Sequence, residues 1–198
     1  MNRRFVLSLL AAFAFVFALP RVAAAEPTPE GFVKDQQAKL TDLLKKGKSA
    51  DAKVDAAFDE MLDYDTLAKE SLGKHWDGLK DEQKKDFRDV LKRLVRNAYR
   101  KNLKKTLDYD VSYKGASDAK AGKLVRTVAK SKNNKREEPV SIDYVVHKVK
   151  GKWRVFDIVT EGSSLTRNYK SQFNRVIKKK GFDELLSRMK KKAAKEDV

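Results

Sequence analysis

The sequence predicts an α+β fold in which helices precede and follow one antiparallel sheet. Apolar residues recur at helical spacing through about residue 105, and from Leu107 to Thr160 they recur at every second position. Helical spacing returns from Ser163 onward. Because only short turns separate the segments of period two, consecutive strands can pair as antiparallel neighbours. The prediction is therefore a four-stranded antiparallel sheet packed with N-terminal and C-terminal helices.

Four helices are predicted before the sheet. Thr28 and Pro29 are typical of a helix start, and Asp65 can cap the third helix. The predicted ranges are 31–46, about 54–62, 65–73 and 81–105. The apolar face of the long fourth helix consists of Phe87, Leu91, Leu94, Val95, Tyr99 and Leu103. Its opposite face is a basic stripe of Lys85, Arg88, Lys92, Arg96 and Arg100.

The strands are predicted over 109–113, 123–131, 139–149 and 152–160, with turns at 115–122, 133–134 and 150–151. Helices follow over 163–179 and 182–192. One face of the third strand has Val140, Ile142, Tyr144 and Val146, with Val145 opposite. In the fourth strand, strict alternation places Trp153, Val155 and Val159 on one face and Phe156 and Ile158 on the other. The centre of the sheet is therefore apolar on both sides, which fits either an ordinary core or a cavity.

The first 25 residues are typical of a secretory signal peptide. A short basic start at Arg3 and Arg4 is followed by an apolar run from Phe5 to Leu19 and by small residues before Glu26. We expect cleavage between Ala25 and Glu26, because a membrane anchor would need about 20 apolar residues. Residues 26–198 are then expected to form a single domain.

Charge and cysteine content narrow the functional classes. The formal net charge is +17, and it is +14 without the first 25 residues. In an exported protein such an excess favours anionic lipid headgroups, acidic polysaccharide or an acidic protein partner. Nucleic acid is not expected, because the aromatic residues lie at core spacing rather than among the basic residues. The chain has no cysteine, which excludes disulfides, a thiol nucleophile and a cysteine zinc site.

The junction after the fourth strand invites a catalytic interpretation that the residues do not support. Ser163 and Ser164 follow a strand, but a nucleophile elbow needs glycine on both sides of its serine, within a parallel sheet. Either serine is instead a good N-cap for the next helix. His75 and His147 belong to no metal-binding motif. We therefore predict no catalytic residue, no metal site and no cofactor.

Three segments resemble one known family: LGKHW (72–76), DEQKKDFRDVLKRLVRNAYRKNL (81–103) and WRVFDIVTEGSSLTRNYKSQF (153–173). They are similar to the MlaC family, the periplasmic phospholipid carriers of the Mla lipid-asymmetry pathway, also known as toluene-tolerance auxiliary components of an ABC transporter. The third segment matches that family's Trp-x-Val-x-Asp strand, Glu-Gly-x-Ser-Leu junction and Asn-Tyr-x-x-Gln-Phe helix. Lys170 and the Lys80–Asp81 helix start depart mildly from the family pattern.

The resemblance implies a binding protein rather than an enzyme, with an apolar lipid-binding cavity between the sheet and the helices. It implies a monomer in the periplasm that shuttles phospholipid between an inner-membrane ABC-transporter complex and an outer-membrane lipoprotein complex. Relatives that carry other membrane lipids, such as hopanoids, stay open as an alternative. So does an exported basic adaptor with a solid core. The residues expected to line the cavity are Leu91, Val95, Tyr99, Val128, Tyr144, Val146, Val155, Ile158, Leu165, Tyr169 and Phe173.

Overall fold

The computed structural model describes residues 26–196, with the side chains of 100–104 and 196 excepted. The predicted signal peptide, 1–25, lies outside the described residues, as do the side chains of Arg100 and Leu103 on the long helix. The helices are α1 (Pro29–Lys45), α2 (Asp51–Met61), α3 (Tyr64–Leu72), α4 (Asp81–Thr106), α5 (Leu165–Lys180) and α6 (Phe182–Glu196). The strands are β1 (Tyr109–Ala119), β2 (Gly122–Ser131), β3 (Val140–Val149), β4 (Lys152–Thr160) and β5 (Ser163–Ser164).

The helices begin largely where their capping residues predict. The Thr28 hydroxyl accepts a hydrogen bond from the backbone N–H of Gly31, and Pro29 occupies the first turn of α1. The predicted cap of α3 is wrong by two residues. Asp63, not Asp65, accepts hydrogen bonds from the first free N–H groups, at 3.1 Å from Asp65 and 3.1 Å from Thr66.

The sheet has five strands in the order β1-β2-β3-β4-β5, each antiparallel to its neighbour, instead of the four predicted. β1 is also longer than predicted. A bulge between Tyr113 and Ala116 places Gly115 at a φ of +91°, a backbone conformation that glycine adopts without strain. The strand therefore continues through the region predicted as a turn and ends at Ala119.

A second bulge changes the faces of β4. Val155 pairs with Val146, and Asp157 pairs with Val145, so Phe156 is an extra residue without a partner opposite. Val155 and Ile158 consequently lie on the same face, and the strict alternation predicted for this strand is wrong. Phe156 packs against His147, with ring centroids 4.7 Å apart.

Within residues 26–196, the core extends through all six helices and β2 to β4. Its largest fully buried side chains include Phe58, Phe87 and Leu91. Phe87 of α4 contacts Phe173 of α5 edge-on, with ring centroids 5.6 Å apart, and thereby joins the C-terminal helices to the rest. None of the described helices is long and apolar enough to span a bilayer.

Three residues of the basic stripe of α4 form ion pairs with the preceding helices. Lys92 Nζ lies 2.8 Å from Asp59 of α2, the Arg96 guanidinium also pairs with Asp59, and Arg88 lies 2.7 Å from Asp65 of α3. These ion pairs connect α4 to the two preceding helices. Much of the stripe therefore serves the fold rather than an external partner.

Candidate functional site

A cavity of about 540 Å³ lies between α1, α2, the C-terminal half of α4 and the first three strands. Its volume falls within the range of about 300–1,000 Å³ that is usual for small-molecule sites. Its lining residues are Gln37, Leu40, Thr41, Leu44, Lys45, Phe58, Met61, Tyr99, Lys105, Thr106, Leu107, Tyr109, Asp110, Val111, Tyr113, Ala129, Lys132, Val140, Ile142 and Tyr144.

The exposed lining residues lie where elements begin or end, namely at the ends of α1 and α4, at the start of β1 and just after β2, and we take this end of the cavity as the mouth. They include Lys45, Lys105, Asp110 and Lys132, and Lys45 Nζ lies 3.8 Å from the exposed Asp42, so these five described charges are three cationic and two anionic. Lys132 Nζ donates to the Leu107 carbonyl at 2.9 Å and lies 3.6 Å from Asp110. The three lysines, called here the lysine rim (Lys45, Lys105 and Lys132), therefore give the mouth a cationic excess.

The interior of the cavity is apolar. Leu40, Phe58, Met61 and Ala129 are buried, and the Phe58 ring packs against Tyr99 with centroids 4.8 Å apart. The aliphatic and aromatic surface comes from α1 and α2 on one side and from the sheet on the other. Such a wall offers dispersion contacts and little hydrogen bonding, so it suits a hydrocarbon ligand.

At the end away from the lysine rim, three polar side chains, called here the strap (Gln37, Tyr113 and Tyr144), join α1 to β1 and β3 across the cavity. Gln37 Nε2 donates to the Tyr144 hydroxyl at 2.5 Å, and the Tyr113 hydroxyl donates to the Gln37 carbonyl oxygen. Burial raises the pKa of Tyr113 to about 12 and holds the pKa of Tyr144 well above its ordinary value. Both hydroxyls therefore stay protonated and hold α1 against β1 and β3.

The structure brings two of the eleven predicted site residues to the cavity wall, Tyr99 and Tyr144. Six others are buried in the packed core, namely Leu91, Val95, Val146, Val155, Ile158 and Phe173. Leu165 and Tyr169 of α5 are half-buried against that core, and Val128 is a half-buried residue of β2. Contact between lipid and these nine residues stays a prediction, and it would require the core to open.

Sequence reasoning missed the contributions of α1, α2 and β1. Leu40 and Leu44 lie on the apolar face of α1, and Phe58 and Met61 lie on that of α2. The helical period identifies these faces, and alternation identifies Tyr109, Val111 and Tyr113 in β1. The sequence pattern does not indicate that α1 crosses the first three strands, so these residues could not be grouped.

The junction serines have structural contacts. The buried Ser164 hydroxyl donates to Asp157 Oδ2 at 2.6 Å and accepts from the Arg167 N–H at 3.1 Å, so of the two serines predicted as possible N-caps it is Ser164 that caps this helix. The two histidines lie beside other side chains, His75 by Asn174 and His147 by Asp63. Within residues 26–196 no group of three potential metal ligands comes together.

Comparisons with known proteins agree with this architecture. The sequence profile described as "MlaC protein" matches residues 32–191. No curated protein sequence matches significantly. Seven solved chains do match, and one of them is described as the phospholipid-binding protein from Ralstonia solanacearum in complex with a phospholipid. It is 26% identical, with a TM-score of 0.72, and the match covers 85% of this chain and 98% of that chain. Because the family profile covers most of the sequence, the chain belongs to the MlaC family.

Proposed function

We propose that the protein is a periplasmic carrier that buries the acyl chains of a phospholipid in the cavity. In this proposal residues 1–25 direct export and residues 26–198 form one carrier domain. The carrier moves as a monomer between an inner-membrane ABC-transporter complex and an outer-membrane lipoprotein complex. The observation that carries the proposal is the cavity itself, apolar inside and basic at its mouth.

The energetics of lipid in water require such a site. Each methylene removed from water is worth about 0.8 kcal/mol, so a hexadecanoyl chain left exposed costs on the order of 10 kcal/mol. A protein that carries lipid through an aqueous compartment must offset most of that cost with dry apolar surface. The buried walls from α1, α2 and the sheet supply this kind of surface.

The lysine rim is suited to the headgroup of a phospholipid, as the apolar walls are suited to its acyl chains. A phosphate cannot enter the apolar interior without losing its hydration, so it stays at the mouth. There the ammonium groups of Lys45, Lys105 and Lys132 attract it without a fixed, bidentate geometry. We infer a preference for anionic headgroups that weakens as salt concentration rises.

Family membership and the solved relative give independent support. The relative from Ralstonia solanacearum is described as bound to a phospholipid, and it shares this fold along nearly its whole length. The catalytic interpretation gains no support from the junction, because the Ser164 hydroxyl is engaged with Asp157 and with the start of α5. A hopanoid as the cargo is an alternative outcome of the experiment below.

The test compares lipid loading by wild type with loading by a variant whose rim lysines are neutralised. Delipidated protein is incubated with vesicles of phosphatidylglycerol or of phosphatidylcholine, and the bound lipid is counted by native mass spectrometry. We expect wild type to load both lipids and to favour phosphatidylglycerol several-fold at low salt. The triple variant Lys45→Gln, Lys105→Gln, Lys132→Gln should lose that preference but still load lipid.

The matched control removes the same number of charges elsewhere, by Lys114→Gln, Lys120→Gln and Lys150→Gln, which are exposed residues of β1 and of the β1–β2 and β3–β4 turns. It should keep the wild-type preference. If the control loses the preference equally, net charge rather than the rim is responsible. If wild type loads neither phospholipid but loads a hopanoid, the cargo assignment is wrong; if it loads no lipid at all, the carrier proposal is wrong.

A further inference from the structure

The strap occupies the position where an inserted acyl chain would end. Gln37 from α1, Tyr113 from β1 and Tyr144 from β3 all line the cavity and are joined by two hydrogen bonds. A chain that enters at the lysine rim runs along the apolar walls and then meets these side chains. It cannot pass between α1 and the sheet unless those hydrogen bonds break.

Three elements give the same depth for the cavity. Tyr109 and Val140 line its rim end, offset from each other by two residues in register, and the strap tyrosine of each strand lies four residues further along it, which is about 13 Å of strand rise. Lys45 and Gln37 are eight residues apart on α1, which is about 12 Å of helix rise. The distance from mouth to strap is therefore about 12–13 Å.

That depth is close to the length of a membrane acyl chain but shorter. The hydrocarbon core of a bilayer is about 30 Å thick, so one leaflet, and the chains that fill it, span about 15 Å. We propose that the strap is a ruler, setting the longest acyl chain that the cavity buries. This inference rests on the proposed lipid carriage, and it assigns the chain-length specificity of that site to Gln37, Tyr113 and Tyr144.

The chemistry of the strap makes it an effective stop. Two hydroxyls and one primary amide bring four donor hydrogens, and the two hydrogen bonds among them use two. A terminal methyl group that reaches the strap meets polar groups it cannot satisfy, so further methylenes gain nothing there. Tyr144 is also nearly fully buried, so its ring has little room to move aside.

A ruler predicts a break in the dependence of affinity on chain length. Each added methylene buried in an apolar site raises affinity about fourfold. In wild type this gain should stop where the chain reaches the strap, between dodecanoyl and hexadecanoyl. In Tyr113→Ala, which removes one ring of the strap from edge strand β1, the gain should continue through octadecanoyl.

The experiment measures binding of lysophosphatidylglycerols with decanoyl, dodecanoyl, tetradecanoyl, hexadecanoyl and octadecanoyl chains, below their micelle-forming concentrations. Gln37→Ala is the second strap variant, in case Tyr113→Ala does not fold, and thermal melts verify both. Tyr109→Ala is the matched control, since it removes a ring from the same strand and cavity but at the rim. Its break should stay at the wild-type chain length.

The possible outcomes distinguish a failure of the ruler from a failure of the proposed lipid carriage on which the ruler rests. A break in wild type that moves to longer chains in the strap variants, but not in Tyr109→Ala, supports the ruler. Affinity that rises without a break in wild type, or a break that does not move in folded strap variants, overturns it and leaves lipid carriage intact. Failure of wild type to bind any of these lipids, or lipids from vesicles, overturns both.

Discussion

At the scale of single residues, Ser164 shows how a motif that could suggest catalysis serves packing. Its hydroxyl bridges the buried Asp157 and the first turn of α5, and Asp157 in turn accepts from the N–H groups of Ile158 and Thr166. One buried carboxylate thus holds the end of β4 against the start of α5. A serine suits this position because its hydroxyl is at once a donor and an acceptor.

Ser164→Ala should lower the free energy of unfolding by about 1–2 kcal/mol, because it removes a helix cap and one partner of a buried carboxylate. Lipid binding should persist. Ser163→Ala is the control, since Ser163 is exposed, and its cost should be under about 0.5 kcal/mol. Urea unfolding measures both. Equal costs for the two variants, or loss of lipid binding in a folded Ser164→Ala, would contradict the assignment of a purely structural role.

Asp63 links three parts of the fold. Its carboxylate caps α3, accepts a hydrogen bond from the Thr66 hydroxyl at 2.6 Å and lies 2.7 Å from His147 Nε2 on β3, while its backbone N–H donates to Val155 of β4. Burial alone would raise the pKa of Asp63, but the hydrogen bonds from Thr66 and His147 outweigh burial and hold that pKa below its usual value.

A carboxylate with a depressed pKa stabilises the fold above the pKa it has when unfolded, about 4, and that stability is lost as pH falls toward the folded value. Asp63→Asn keeps a good N-cap but removes the titrating group. The variant should therefore be less stable than wild type at pH 7, and the difference should shrink as pH falls below about 4. Chemical unfolding across this pH range measures it. Parallel curves for the two proteins would show that Asp63 does not contribute this pH dependence.

At the scale of elements, periodicity predicted the helices well and the strands less completely. The long helix α4 and the two C-terminal helices follow the 3.6-residue spacing closely, because each buries one continuous apolar face. The bulges in β1 and β4 could not be predicted, since an extra residue preserves a strand-like sequence while changing the face of every later side chain. Strict alternation consequently misplaced Ile158 relative to Val155.

The family resemblance implied an apolar cavity between the sheet and the helices, but periodicity did not indicate which residues line the cavity in the structure. The apolar faces of α4 and the sheet are evident in the sequence, and Tyr99 and Tyr144 were identified from them. Whether a residue such as Val155 faces a cavity or another side chain depends on how far the elements stand apart. That distance is fixed by long-range contacts, such as the hydrogen bonds of the strap between α1 and the sheet, and local patterns do not encode them.

At the scale of the whole molecule, packing stabilises the fold, and the basic residues serve partly the fold and partly the cavity mouth. The chain lacks cysteine and holds its shape by a core that spans the helices and β2 to β4. Part of its basic excess is neutralised internally, where Lys92 and Arg96 of α4 meet Asp59 of α2. This internal use weakens the adaptor alternative, which depends on a continuous basic face. The lysine rim, by contrast, is exposed at the cavity mouth.

A cavity and a solid core respond oppositely to added bulk. Ile142 lines the cavity, whereas Val155, on the same sheet face, is fully buried in the core. Ile142→Trp should fill the cavity and exclude lipid, while the melting temperature changes by only a few degrees. Val155→Trp should overpack the core at a cost of about 1–3 kcal/mol, which lowers the melting temperature by several degrees.

The most direct test of the account is native mass spectrometry of wild type and Ile142→Trp, each purified from the periplasm without detergent. We expect a phospholipid mass on wild type and a bare protein mass on Ile142→Trp, with thermal melts showing that both are folded. A wild type that is bare and stays bare after incubation with phospholipid vesicles would contradict the account. So would an Ile142→Trp variant that retains the same lipid in the same amount.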